Sequence, residues 1–120
     1  MSFNWGAVAV GAMTGLGVAL MAFLILGVTG IVDSANAAVP VAFLQFVAQL
    51  IAGYVAARFA GHDAIIHGSF AALLLYLVGS TITLAAAPDA VGLIPLALFA
   101  LVSAVVGAAG GLLGDRRRRA

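Results

Sequence analysis

Apolar positions in this chain neither alternate with polar ones nor trace a stripe at helical spacing. They come in four long blocks, separated by short polar stretches: "DSANAAVP" at 33–40, "ARFAGHD" at 57–63, "APDA" at 87–90 and "GDRRRR" at 114–119. A membrane-crossing helix needs about 20 mostly apolar residues, and each block is long enough. The pattern predicts helices over about 5–32, 41–60, 64–87 and 91–114, followed by an arginine tail at 115–120. Helices are required because backbone N–H and C=O groups in hydrocarbon must be satisfied within their own segment or in a closed barrel. Barrel strands would alternate in polarity, and these blocks do not.

The first block invites comparison with a signal peptide, since "ANA" before Ala38 resembles a small-residue cleavage site. It lacks a positive leading region, and its apolar stretch is far longer than the usual 7–15 residues. It is read as a retained span, long enough to tilt or to emerge at one end.

Composition sharpens the class. Of 120 residues, 65% are hydrophobic and 8% charged, with mean hydropathy +1.26; a soluble domain carries about 25% charged residues. There is no lysine, glutamate or cysteine. The expected fold is therefore all-α, one integral membrane four-helix bundle, and thiol chemistry is excluded.

Charge then orients it. Arg58 closes the second block, and Arg116, Arg117, Arg118 and Arg119 close the fourth. Two crossings separate these groups, so they fall on one side, and arginine excess marks the cytoplasmic side. Asp33 and Asp89 lie in the two arginine-free loops opposite. Both termini are expected in the cytoplasm, with Trp5 as an interfacial anchor. The arginine tail suits anionic lipid headgroups, each charge contributing about 1 kcal/mol near such a surface. It is short and has no interleaved aromatics, so nucleic acid is not expected as a partner.

Helices associate in a bilayer where small residues let backbones approach. Gly11 and Gly15 lie four apart in the first block. Ala48, Ala52, Ala56 and Ala60 repeat that spacing in the second with Gly53 and Ala57 beside them, and Gly68 and Ala72 do so in the third. Ser103, Gly107 and Gly111 form a row in the fourth, with Gly110 and Gly114 alongside. These rows predict close packing in all four helices, and further association as a homo-oligomer or as a subunit of a larger membrane complex. "AGYVAAR" (52–58) and "GGLLGDR" (110–116) also echo each other. Two parallel helix hairpins would give such an echo, and so would the ordinary composition of spans that end inward.

"LIAGYVAARFAG", followed by "IIHGSFAALLLYLVG" and preceded by a first span opening "NWGAVAVGAMTG", resembles small four-helix prokaryotic membrane proteins of unknown function. The shared features are a glycine-rich second helix ending in a basic residue and a His-Gly pair, here His67 and Gly68, heading the third. The resemblance implies a fold and a location, the prokaryotic inner or plasma membrane, and no activity.

Three polar positions inside the blocks are candidates for function. Gln45 and Gln49 lie four apart in the second block, on one face with Ala52, Gly53 and Ala56. They are expected to hydrogen-bond across a helix interface; the alternative is that they line a solute path. His67 lies four residues after Asp63, which can cap the third helix. It is expected to be an interfacial histidine bonded to that cap or to the Arg58 loop, with an Asp–His proton relay as the alternative. His62 is expected to be solvated. Thr14, Ser80, Thr81, Thr83 and Ser103 can bond to their own helix backbone.

What is missing narrows the function. No carboxylate lies inside a span, and "HGSF" lacks the setting of an intramembrane serine protease. Two histidines without cysteine make no convincing metal site, and no phosphate loop or dinucleotide fingerprint occurs. Neither an enzyme nor a cofactor is expected. The preferred expectation is a structural, accessory or oligomer-forming membrane protein. The alternative is a minimal channel or carrier for a small uncharged solute.

Overall fold

The structure is a computed structural model, described here over residues 3–30, 38–86 and 92–119. It consists of four α-helices: α1 (Trp5–Thr29), α2 (Ala38–Ala60), α3 (Ala64–Ala86) and α4 (Leu93–Arg119). Each is long and apolar enough to cross a membrane. The expected loops around Asn36 and Asp89 lie outside the described residues.

Helix limits follow local chemistry. Asn4 caps α1, its side chain accepting from the Ala7 N–H at 3.0 Å, as N-cap residues do. α1 stops at Thr29, short of the expected Val32, because Gly30 adopts the left-handed conformation (φ 77°) and its N–H turns back to the Gly27 carbonyl. Such a residue ends a helix at little steric cost when it is glycine. α2 begins at Ala38, earlier than expected, with Pro40 in its first turn. Proline is tolerated there because the first N–H groups have no intrahelical partner anyway. Pro95 sits likewise in the first turn of α4. The largest departure is at the other end of α4, where the helix continues through the arginines to Arg119. No proline follows Gly114, and arginine is a good helix former. The arginine segment is thus part of α4 and not a separate tail.

α2 and α3 form the middle pair; α1 packs on both, and α4 packs on both from the other side. Gly11 of α1 faces Ala52 and Ala56 of α2, while Gly15 faces Ala48 and Ala52, so α1 and α2 are antiparallel. Gly107 of α4 faces Gly68 and Ala72 of α3, while Gly111 faces Ala64 and Gly68, again antiparallel. Gly110 and Gly114 of α4 meet Leu50 and Tyr54 of α2 in parallel register. The start of α1, the end of α2, the start of α3 and the end of α4 therefore share one end of the bundle.

These contacts are backbone to backbone. A Cβ built at Gly53, Gly68, Gly110 or Gly111 would collide with a carbonyl oxygen of the facing helix. At Gly15 it would come within 2.8 Å of the Ala52 side chain and 2.9 Å of the Ala48 carbonyl oxygen. Every row of small residues read from the sequence is thus used inside the bundle.

The resulting core inverts that of a soluble protein. Its apolar members are mostly alanines (Ala48, Ala52, Ala56, Ala71) with Val8 and Leu75. The largest fully buried side chains are His67, Gln49, Val8 and Ser103. Bulky apolar residues, among them Met13, Phe23, Val28, Phe43, Leu77, Leu93 and Leu101, are exposed on the outside. In water such a surface would forgo about 25 cal/mol for each Å² of apolar area left uncovered. Small residues inside and large apolar ones outside are the arrangement that packing in hydrocarbon favours.

Candidate functional site

Gln49 lies on the α2 face that meets α4. Its side chain is 1% exposed, and its Nε2 donates to Ser103 Oγ at 2.8 Å. Ser103 is equally buried and passes its own proton to the Phe99 carbonyl oxygen one turn earlier, also at 2.8 Å. A chain of two hydrogen bonds thus joins α2 to α4. Gln49 Oε1 is buried without a partner among the described residues. A buried amide oxygen left unpaired costs about 1–3 kcal/mol.

Gln45 does not join this chain. It is half-buried beside Leu44 and against Ala19, Ala22, Phe23 and Leu26 of α1. Residues four apart on a helix are offset by about 40°, since each residue advances about 100°. On α2, which is flanked by α1 and α4, that offset goes with different neighbours for the two glutamines. The two glutamines are neighbours on one helix, and each faces a different partner helix.

His67 is fully buried. Its Nδ1 bonds to the carbonyl oxygen of Asp63 at 2.9 Å, and its Nε2 receives the backbone N–H of Asn4 at 3.0 Å. A backbone N–H can only donate, so Nε2 must be the acceptor. Nδ1 therefore carries the proton and donates to Asp63. Phe3 stacks on the imidazole with ring centroids 4.4 Å apart and planes 8° from parallel. Phe3 also meets Trp5 and Phe70 edge to face, at 4.6 and 5.2 Å.

The Asp63 carboxylate takes no part in holding His67. Asp63 has φ 46° and directs Oδ2 to Nδ1 of His62 at 3.1 Å. The side-chain cap expected of Asp63 on α3 is replaced by this neighbour pair. His62, expected to be solvated, is 19% exposed at its side chain and meets the His67 ring edge-on at 5.0 Å. An open cleft of about 590 Å³ lies at this end, between the α2–α3 turn and Leu112 and Asp115 of α4. His62, Asp63 and Asp115 border it, but no group of three such residues among those described is placed to hold a metal ion.

Other polar residues bond within or between helices. Thr14 and Thr81 return their hydroxyls to the carbonyls of Val10 and Leu77, both at 2.8 Å, as expected of hydroxyls in spans. Ser69 donates across to the Ala104 carbonyl at 3.1 Å and Tyr76 to the Leu96 carbonyl at 2.8 Å, tying α3 to α4 at two levels. Ser69, Tyr76, Phe3 and Asn4 were not among the expected site residues. Asn4 did carry a signal, as an N-cap type just before an apolar block. The arginine-bearing ends also meet: the Arg58 stem lies 3.4 Å from where a Gly114 Cβ would stand.

No protein-family model, curated protein or solved structure matches this chain. The resemblance to small prokaryotic four-helix proteins therefore stands on the quoted residues alone.

Proposed function

We propose that the protein is a multi-pass membrane protein of the cell membrane, both termini cytoplasmic, with a structural or accessory role and no catalytic chemistry. The observation that carries this reading is the use made of its deepest polar residues. Gln49 and Ser103 are spent on each other, between helices whose backbones already touch. Ser69 and Tyr76 serve the same purpose at other levels. Such bonds contribute about 0.6 kcal/mol each on average, and here they set which helix meets which.

The inverted core supports the membrane location, and the arginines at one end of the bundle support the orientation. The four arginines at 116–119 continue α4 to its end, a run of charge that suits anionic headgroups. Association with a second copy or a larger complex has narrower support than the sequence suggested, since the small-residue rows are consumed internally. What supports it now is Gly17 and Gly27, exposed positions of α1 where an added Cβ would meet nothing within 4 Å. An interior helix glycine costs about 1 kcal/mol relative to alanine, and here the bundle itself does not need it.

One observation favours the second reading, a narrow path for a small uncharged solute: the unpartnered Gln49 Oε1. A passing hydrogen-bond donor would satisfy it. Against it, the same α2 face continues only into Ala52, Gly53 and Ala56, of which Ala52 and Ala56 are fully buried and Gly53 abuts Gly107.

Location and orientation are tested together with single cysteines at Asn36 and Ala120 in this cysteine-free chain. An impermeant thiol reagent applied to intact cells should label the first and spare the second. Labelling of both, or of Ala120 alone, would contradict the orientation. Mass measurement of the same variants in lipid nanodiscs then reads the copy number, which the association reading expects to exceed one.

A further inference from the structure

The start of α1 is fastened to the buried ring of His67, and the fastening depends on where that ring carries its proton. We infer that residues Phe3–Trp5 form a proton-released latch, held closed by neutral His67 and opened when the ring takes a second proton. This goes beyond the structural reading and does not rest on it.

The argument is one of donors and acceptors. Nδ1 already gives its hydrogen to the Asp63 carbonyl, so the ring's remaining lone pair, on Nε2, is the one that receives the Asn4 N–H. A second proton must go to Nε2. Two N–H groups would then confront each other where 3.0 Å now separates donor and acceptor. The bond is lost outright, and a charge is created on a ring with no exposed surface. Burying an unpaired charge is far more costly than burying an unpaired dipole. Moving the segment away relieves both problems, since it is Phe3 that covers the ring and Asn4 that blocks Nε2. Hydronium from the aqueous phase gives its proton to Nε2: an N–H bond forms as an O–H bond breaks and water is left, and the Asn4 N–H exchanges its ring partner for hydration.

Among the charged and titratable groups around the ring, His62 is the one rival source of a pH response. From the α2–α3 turn, His62 meets the ring edge-on, and the Asp63 carboxylate is turned to His62. From α4, Asp115 lies across the cleft that His62 and Asp63 border. From α2, Tyr54 and Arg58 are set against Gly110 and Gly114 of α4. From the segment just before α1, the residues that face the ring, Phe3 and Asn4, are uncharged. Asn4 is also the N-cap of α1, so release undoes a hydrogen bond at the helix start as well as the aromatic contacts of Trp5.

Trp5 is the single tryptophan of the chain, which gives the latch a natural reporter. The full chain in lipid nanodiscs is taken from about pH 8 to about pH 5. The backbone amide of Asn4 and the indole N–H of Trp5 are followed by NMR. Both signals should shift together on acidification, the Asn4 amide losing its hydrogen-bonded position. His67→Gln, whose side-chain carbonyl can still accept the Asn4 N–H but cannot titrate, should abolish both shifts. His62→Gln should leave them. Asn4→Pro, which lacks the donor, should hold the Trp5 indole at its acid position at every pH. An Asn4 amide unmoved down to about pH 5 would overturn the latch even if no variant folds, and so would a transition that survives His67→Gln or vanishes in His62→Gln.

Discussion

Gly107→Leu should destabilise the protein more than any truncation on its outer surface. An added Cβ at Gly107 would stand 2.5 Å from the Ala72 Cβ and run into the Gly68 carbonyl oxygen. Gly53 of α2 meets the Gly107 backbone from another side, so α4 cannot move off α3 without disturbing α2. Overpacking a tight core typically costs about 1–3 kcal/mol, and a contact shared by three helices belongs at the upper end. Leu74→Ala is the comparison. Leu74 is exposed, so its truncation leaves no cavity in the bundle and should change stability by less than about 0.5 kcal/mol. Thermal unfolding in mild detergent checks both. Equal melting temperatures for the two variants would mean that the α3–α4 seam is not the close contact described.

The second large effect concerns the α2–α4 link, where the order of the effects matters more than their size. Ser103→Ala removes the acceptor of the Gln49 amide and leaves both polar ends of a buried glutamine unpaired. A loss of about 1–3 kcal/mol is expected. Gln49→Leu removes the glutamine itself together with its unpartnered oxygen, and Ser103 keeps its bond to the Phe99 carbonyl. Its effect should stay below about 1 kcal/mol, and it is the less damaging change although it alters more atoms. The reverse order, with Gln49→Leu clearly worse, would show that Gln49 Oε1 has a partner of its own.

Much of this fold was legible in the sequence, for reasons that can be named. Polar stretches, prolines and arginines interrupt apolar blocks because polar backbone and charge must reach water, so the helix count followed from punctuation. The fourfold spacing of small residues was legible because positions four apart stack on one helix face. Which row meets which helix was not. Gly110 pairs with Leu50 and Tyr54, and Gly107 with Gly68 and Ala72, yet nothing in either row names its partner.

Sequence spacing put Gln45 and Gln49 on one face and at a helix interface, but it could not say that Gln49 meets α4 while Gln45 lies against α1. It singled out His67 but not Asn4, the partner of its Nε2, which lies 63 residues away in sequence. The nearby Asp63 drew attention through its carboxylate, while it is its backbone carbonyl that binds the ring. The arginine segment was read as a tail because charge ends a span. Charge does not end a helix, and α4 runs on to Arg119.

Whether the buried polar residues tie helices together or line a path is the central question, and permeability answers it most directly. Sealed vesicles containing the purified protein, and protein-free vesicles beside them, are challenged with a water gradient and then with a small neutral solute such as glycerol. Gln49→Leu vesicles are measured alongside. If Gln49 and Ser103 are a helix crosslink, wild type and variant should both stay at the protein-free rate. A wild-type rate clearly above that background, returned to it by Gln49→Leu through dewetting of a narrow point, would contradict the structural reading and establish the path.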